Sequence, residues 1–188
     1  MSIIDHVSQS YRVLAISGSL RTGSSNAALL EASARLLPTH VAAEFYRGLE
    51  LLPHFNPDRE NEVIVSVSDL REKVRASDGL LICSPEYARG VPGSLKNALD
   101  WLVGGIEIVG KPVALINASP HSTHAQAALT TILGTMSAKV IPDASITVPL
   151  RGRKLPADGI AGDAVITSAL RVAMTAFVAA LESARHSR

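Results

Sequence analysis

The sequence has a single cysteine, Cys83, and few aromatics: three phenylalanines, three tyrosines and one tryptophan. One cysteine excludes an intramolecular disulfide framework and fits a reducing compartment. An excess of charge of either sign is missing as well. Eighteen Lys and Arg stand against 17 Asp and Glu, a net charge of +1 over 188 residues. That balance argues against a dedicated nucleic-acid binder, which would show a basic face or stripe. It also argues against a strongly acidic electron carrier that docks through long-range fields. The start, Met1 to His6, lacks the basic and apolar regions of a secretory signal. The most apolar stretch, Ala169 to Leu181, is interrupted by Arg171 and Thr175 and falls short of the ~20 apolar residues of a membrane span. A cytoplasmic protein is expected, with a small-molecule partner and neither nucleic acid nor membrane.

What is present is alternation. Residues 1–10 are polar and aperiodic and are expected to be a flexible arm; residues 11–188 suit one domain. Val13 to Ile16 is a short apolar run, as in a strand buried on both faces. Residues 25–37 follow a helical period, with Ala28, Leu29, Ala32 and Leu36 on one face and Pro38 as the stop. Val41 to Tyr46 predicts a second strand, and Pro53 to Asp58 an exposed loop. A second helix is expected over Asp69–Ala76 and a third strand over Gly79–Cys83. Leu95, Ala98, Leu99 and Leu102 mark the face of a third helix. A fourth strand follows at Pro112–Ile116 and a fourth helix at Ala125–Met136. A fifth strand region combines Val140-Ile141 with Ile146 to Val148, and a last helix runs from Gly162 to about Ala184. Strand–helix alternation predicts an α/β three-layer sandwich, a five-stranded parallel sheet of order 2-1-3-4-5 with helices on both faces. Ligands then bind at the carboxyl ends of the strands, in the loops after Ser17, Ser84 and Ala118.

The first of these loops, Gly18 to Asn26, combines two glycines with four hydroxyl side chains and Arg21, and it opens a helix. Unpaired N–H groups and the positive end of the helix dipole make such a turn an anion site, and the arginine fork matches phosphate oxygens. It is not a Walker A loop, because no lysine precedes the final hydroxyl. Nor is it a dinucleotide fingerprint, since Gly18 and Gly23 are five apart. Glu44 has the spacing of a ribose-binding acid but lacks that glycine pattern. A mononucleotide phosphate fits better than a diphosphate.

The second loop reads Pro85-Glu86-Tyr87, then Gly90, Pro92 and Gly93, and runs into Leu95-Lys96-Asn97-Ala98-Leu99-Asp100-Trp101. With Gly18-Ser19-Leu20-Arg21, Gly23-Ser24 and Asn26 ahead of it, the chain resembles the NADPH-dependent FMN reductase family. That family includes flavodoxin-like quinone, azo-dye and chromate reductases. The resemblance implies a flavodoxin-like fold and FMN as cofactor, with NADPH or NADH as reductant and a small-molecule electron acceptor. It implies that Ser19, Arg21, Ser24, Ser25 and Asn26 hold the FMN phosphate, with Ser17 at the strand end beside them. Pro85, Glu86, Tyr87 and Gly90 would line the isoalloxazine. It implies a homodimer or homotetramer too, in which the Pro53–Glu60 loop covers a neighbour's flavin.

The third loop, Asn117 to His124, departs from the family's glycine-rich turn. Ser119 still offers a hydroxyl and an amide to the flavin. His121 and His124, three apart, have no Cys, Asp or Glu beside them, so no metal site is expected. Cys83 reads as a small core residue. With aromatics scarce, Tyr87 and Trp101 within one loop–helix segment place the functional face there. The expected activity is ping-pong hydride transfer through FMN to a quinone, azo dye, metal oxyanion or flavin. The alternatives are a non-catalytic electron carrier and a flavin-binding sensor.

Overall fold

The computed structural model describes residues 10–150 and 153–186, so the arm expected over residues 1–10 lies almost wholly outside the described residues. The elements are β1 (Tyr11–Ser17), α1 (Ser25–Ala34), β2 (Val41–Tyr46), α2 (Val65–Ala76), β3 (Gly79–Cys83) and α3 (Gly93–Val103). After these come β4 (Pro112–Asn117), α4 (Thr123–Thr135), β5 (Lys139–Val140), β6 (Ile146–Thr147), α5 (Ala157–Ala161) and α6 (Ala164–His186). All strand pairs are parallel, in the order β2-β1-β3-β4-β5. This is the flavodoxin-like order that the alternation of elements predicts.

The sheet divides the core by residue parity. Val13, Ala15, Leu81, Cys83, Ala114 and Ile116 face α1, α5 and α6. Their neighbours Leu14, Ile16, Leu80, Ile82, Val113 and Leu115 face α2, α3 and α4. Successive strand side chains point to opposite faces, so a sheet covered on both sides needs unbroken apolar runs. The apolar segment near the C-terminus is α6, which packs Leu170, Met174, Phe177 and Leu181 into the first of these cores.

Four elements differ from expectation. The fifth strand position is split: β5 pairs with the start of β4 and β6 with its end. A 3-10 turn over Pro142–Ala144 separates them, where proline lacks the N–H that a ladder needs. The Ser145 hydroxyl fills the gap by accepting from the Leu115 N–H at 3.1 Å. Helix α1 ends at Ala34; Leu36 and Leu37 donate to the carbonyls three residues back as the chain tightens toward Pro38. Helix α2 starts four residues early, at Val65, because its buried Val67 and Leu70 outweigh the weak helix propensity of a valine-rich start. The expected last helix is α6, unbroken from Ala164, but an unexpected short helix, α5, precedes it; between the two the Asp163 carboxylate accepts from Val165 and Ile166 N–H, both at 3.2 Å.

The Pro53–Asp58 segment is less free than its turn residues suggest. The Pro53 carbonyl accepts from Trp101 Nε1 at 2.8 Å and from Asn97 Nδ2 at 2.9 Å. Asn97 Oδ1 accepts the Phe55 N–H at 2.7 Å, and the Phe55 ring meets the Trp101 edge at 5.1 Å between centroids. The loop is fastened to α3 of its own chain. Trp101 is 1% exposed, so it belongs to the core and not to the functional face expected from the aromatic pair.

Candidate functional site

Strands β1, β3 and β4 are neighbours in the sheet, so the loops after them meet at one edge. The first loop is internally organised. Ser17 Oγ accepts the Ser19 N–H at 3.3 Å, and Ser19 Oγ accepts the Arg21 N–H at 3.3 Å. Gly23 has φ +70°, the left-handed region where glycine carries no steric cost. Buried Ser24 caps α1, its hydroxyl oxygen accepting the Ala27 N–H at 3.4 Å. The N–H groups of Ser25 and Asn26 then point out of the helix with no acceptor among the described residues. The exposed Arg21 guanidinium has no partner there either. Amides, hydroxyls and one cation around a helix N-terminus form a donor set suited to a phosphate monoester.

Asn26 does more than line this cradle. Its Oδ1 accepts from Ala118 N–H at 3.4 Å and from the Cys83 thiol at 3.3 Å. One side chain thus ties the start of α1 to the ends of β3 and β4. Burial pushes the Cys83 thiol well above its ordinary pKa, which keeps it a protonated donor to Asn26. Gly18 lets the first loop lie against the second: a Cβ there would stand 2.6 Å from the Ser84 hydroxyl.

The second loop folds into a tight turn. Tyr87 and Gly90 exchange both backbone hydrogen bonds, at 3.1 and 2.9 Å. Ala88 and Arg89 between them have φ of 50° and 60°, a primed turn. Non-glycine residues are held in that region at a cost of about 1–2 kcal/mol each, which marks a turn set by its surroundings. Tyr87, 51% exposed, brings its hydroxyl to 3.5 Å from Ser19 Oγ, joining the two loops. Glu86 turns the other way. Its Oε2 accepts the Ala125 N–H at 2.9 Å and caps α4, which receives no capping hydrogen bond from the Ser122 side chain. One oxygen of the Glu86 carboxylate is thus committed to the helix. Glu86→Ala is expected to cost about 1 kcal/mol in urea unfolding, the worth of a helix cap, and to speed exchange of the Ala125 amide.

In the third loop, Asn117 substitutes for the missing glycines. Its buried amide accepts the Ser119 N–H at 2.9 Å and donates to the Ser122 carbonyl at 3.2 Å. Ser119 Oγ accepts the His121 N–H at 3.3 Å, while His121 and His124 are exposed. Glu44, the residue with ribose-acid spacing, is paired with Lys73 on the other side of the sheet.

Across residues 11–151, the sequence matches the model of the NADPH-dependent FMN reductase family. The chain belongs to that family. It is 39% identical over 116 residues to the NAD(P)H-dependent FMN reductase of Pseudomonas aeruginosa, a match covering 60% of this chain and 62% of the relative. To the quinone reductase of Escherichia coli K12 it is 32% identical over 117 residues, again 60% and 62% of the two chains. These matches span about three fifths of the curated relatives' length. Among solved structures, it is similar to FerB, the flavoenzyme NAD(P)H:(acceptor) oxidoreductase of Paracoccus denitrificans. The TM-score is 0.75 at 28% identity, covering 92% of this chain and 98% of that one.

The three loops that carry the expected site residues lie at one edge of the sheet. Sequence reasoning missed Asn117 and the cations Arg153 and Lys154. Together with Ser25, Asn26 and Ser119, the two cations line a cleft of about 480 Å³. Their only signal was basic character after the last strand, far from either motif.

Proposed function

We propose that the protein is an FMN-dependent oxidoreductase that takes reducing equivalents from NAD(P)H and passes them to a small-molecule acceptor, with quinones first among the candidates. The observation that carries this reading is the meeting of the Gly18–Asn26 cradle with the Tyr87–Gly90 turn through Ser19 and Tyr87. When bound, FMN supplies the hydride chemistry. The chain's own residues bind and orient. Arg21, Ser19, Ser24 and the amides of Ser25 and Asn26 hold the phosphate. Pro85, the Glu86 main chain, Tyr87 and Gly90 form one wall of the ring site, and Ser119 forms the other. Ser17 shapes the strand end between them.

The exposed face beside Tyr87 serves reductant and acceptor in turn, which gives ping-pong kinetics. No side chain here needs to act as acid or base, since orientation is what hydride transfer asks of the protein. Relatives named as quinone reductases support that acceptor class; azo dyes, metal oxyanions and free flavins are the further candidates. The same reading includes a cytoplasmic homodimer or homotetramer. Exposed Val103 and Ile106 at the end of α3 support the association.

The test is anaerobic addition of NADPH to FMN-reconstituted protein, followed by benzoquinone. The proposal expects the visible flavin band to bleach and then return. Bound flavin that stays oxidised under excess NADPH and NADH would overturn it.

A further inference from the structure

The three loops at the carboxyl edge of the sheet are short of negative charge. Residues 18–26, 84–93 and 117–124 contain one acid, Glu86, beside Arg21, Arg89, His121 and His124, although the whole chain is nearly balanced. Glu86 lends a carboxylate oxygen to the Ala125 N–H at the start of α4, where the positive helix end offsets its charge. Arg21 belongs to the phosphate cradle, so Arg89 is the cation left over. Elsewhere Arg35, Arg59, Lys73, Arg75 and Lys96 are each paired with a carboxylate. The exposed Arg89 side chain has no such partner among the described residues.

The backbone beneath it is unusual. Tyr87 and Gly90 close the turn with both backbone hydrogen bonds, and Arg89 sits at its tip with φ of 60°. Primed turns favour glycine at this second central position, because a side chain is strained in the left-handed region. Arginine stands there instead, and the glycine of the motif comes one residue later. A strained residue held on a ligand-bearing loop points to a use for its side chain. The turn is also joined to the cradle, with Tyr87 Oη 3.5 Å from Ser19 Oγ, so the Arg89 backbone is set beside the ring site.

A planar cation on the rim of a site poor in carboxylates draws anions in and can pair with two of their oxygens at once. We propose that Arg89 decides which acceptors the site prefers, selecting flat aromatic acceptors that carry an anionic oxygen group, such as sulfonated or ionised hydroxyquinones, over neutral ones with the same ring. This rests on the FMN-dependent reading above.

Two measurements on FMN-loaded wild type and on Arg89→Gly, Arg89→Gln and Arg89→Lys test it. The first needs no turnover: 2-naphthalenesulfonate and its neutral sulfonamide are titrated calorimetrically. Wild type is expected to bind the sulfonate about five- to tenfold more tightly at low ionic strength, between the worth of an exposed ion pair and that of a charged hydrogen bond. Added salt should shrink the preference. The Gly and Gln variants are expected to lose it, and the Lys variant to keep part. In the second, kcat/KM with NADPH as reductant is measured for 1,2-naphthoquinone and its 4-sulfonate. Their unequal intrinsic reactivity cancels when each variant is compared with wild type. Arg89→Gly is expected to lose about five- to tenfold with the sulfonate and less than about twofold with the neutral quinone. Its melting temperature should rise by about 1–4 °C as glycine relieves the turn, which separates lost selectivity from a damaged fold.

Three results would overturn the proposal: equal affinity of wild type for sulfonate and sulfonamide, equal losses with both quinones in Arg89→Gly, or a raised KM for NADPH with the ratio between acceptors unchanged. The last would assign Arg89 to the reductant. Bound flavin that NADPH fails to reduce would instead strike the underlying functional reading. The naphthalene titration would still decide the role of Arg89.

Discussion

Arg21→Ala is expected to lower FMN affinity by about 10- to 100-fold, corresponding to the ~1.5–3 kcal/mol of a hydrogen bond to a charged group. Arg21 is the cation of the first loop, and its side chain is exposed without a partner among the described residues. Removing it leaves no buried group unsatisfied. The backbone hydrogen bond from Arg21 to Ser19 Oγ survives the substitution, so the loop keeps its shape. Thermal stability of the apoprotein should therefore stay within about 0.5 kcal/mol of wild type, as at surface positions generally. Quenching of FMN fluorescence measures the affinity, and calorimetry of the apoprotein checks the fold. Arg21→Lys should recover only part of the loss, because a point charge cannot match two phosphate oxygens as a planar fork does. Unchanged FMN affinity in Arg21→Ala would remove Arg21 from the phosphate site.

Trp101→Ala is expected to be the most destabilising of the substitutions considered, by about 3–5 kcal/mol. The side chain is 1% exposed and fills the core under α3. Its truncation leaves a cavity, removes the edge contact with Phe55 and takes one of two donors from the Pro53 carbonyl. Against a total of about 5–15 kcal/mol for a typical domain, that is a large share. Trp101→Phe should be milder, since the ring area is largely kept and Asn97 still donates to Pro53. Urea unfolding followed by circular dichroism is the measurement, because Trp101 is the sole tryptophan and the variant loses intrinsic tryptophan fluorescence. A loss below about 1 kcal/mol would show that the site collapses around the cavity.

The different roles of Arg21 and Trp101 show where the sequence was legible. Apolar runs such as Leu80–Cys83 and Val113–Ile116 announce strands buried on both faces, and their alternation with helical periods gives the sheet order. From that order follow the three loops, and the residues of the two motifs gather where it puts them. Side-chain direction was not legible. Glu86 sits in the second motif, yet its carboxylate caps α4, a partner 39 residues away that no local pattern reveals. Trp101 sits in the same motif and serves the core. The break at Pro142 and the early start of α2 were hidden for a related reason: tertiary burial overrides local propensity. Arg153 and Lys154 reach the cleft only because β6 lies beside β4, a pairing that a two-residue strand scarcely signals.

The central claim is that the Gly18–Asn26 loop is a phosphate cradle and that flavin binding depends on it. Binding isotherms of FMN and riboflavin, which differ only in that phosphate, test it most directly in the wild-type protein. FMN is expected to bind at least about 100-fold more tightly, since one arginine, several hydroxyls and free helix amides converge on the group that riboflavin lacks. Equal affinities for the two flavins would contradict the account.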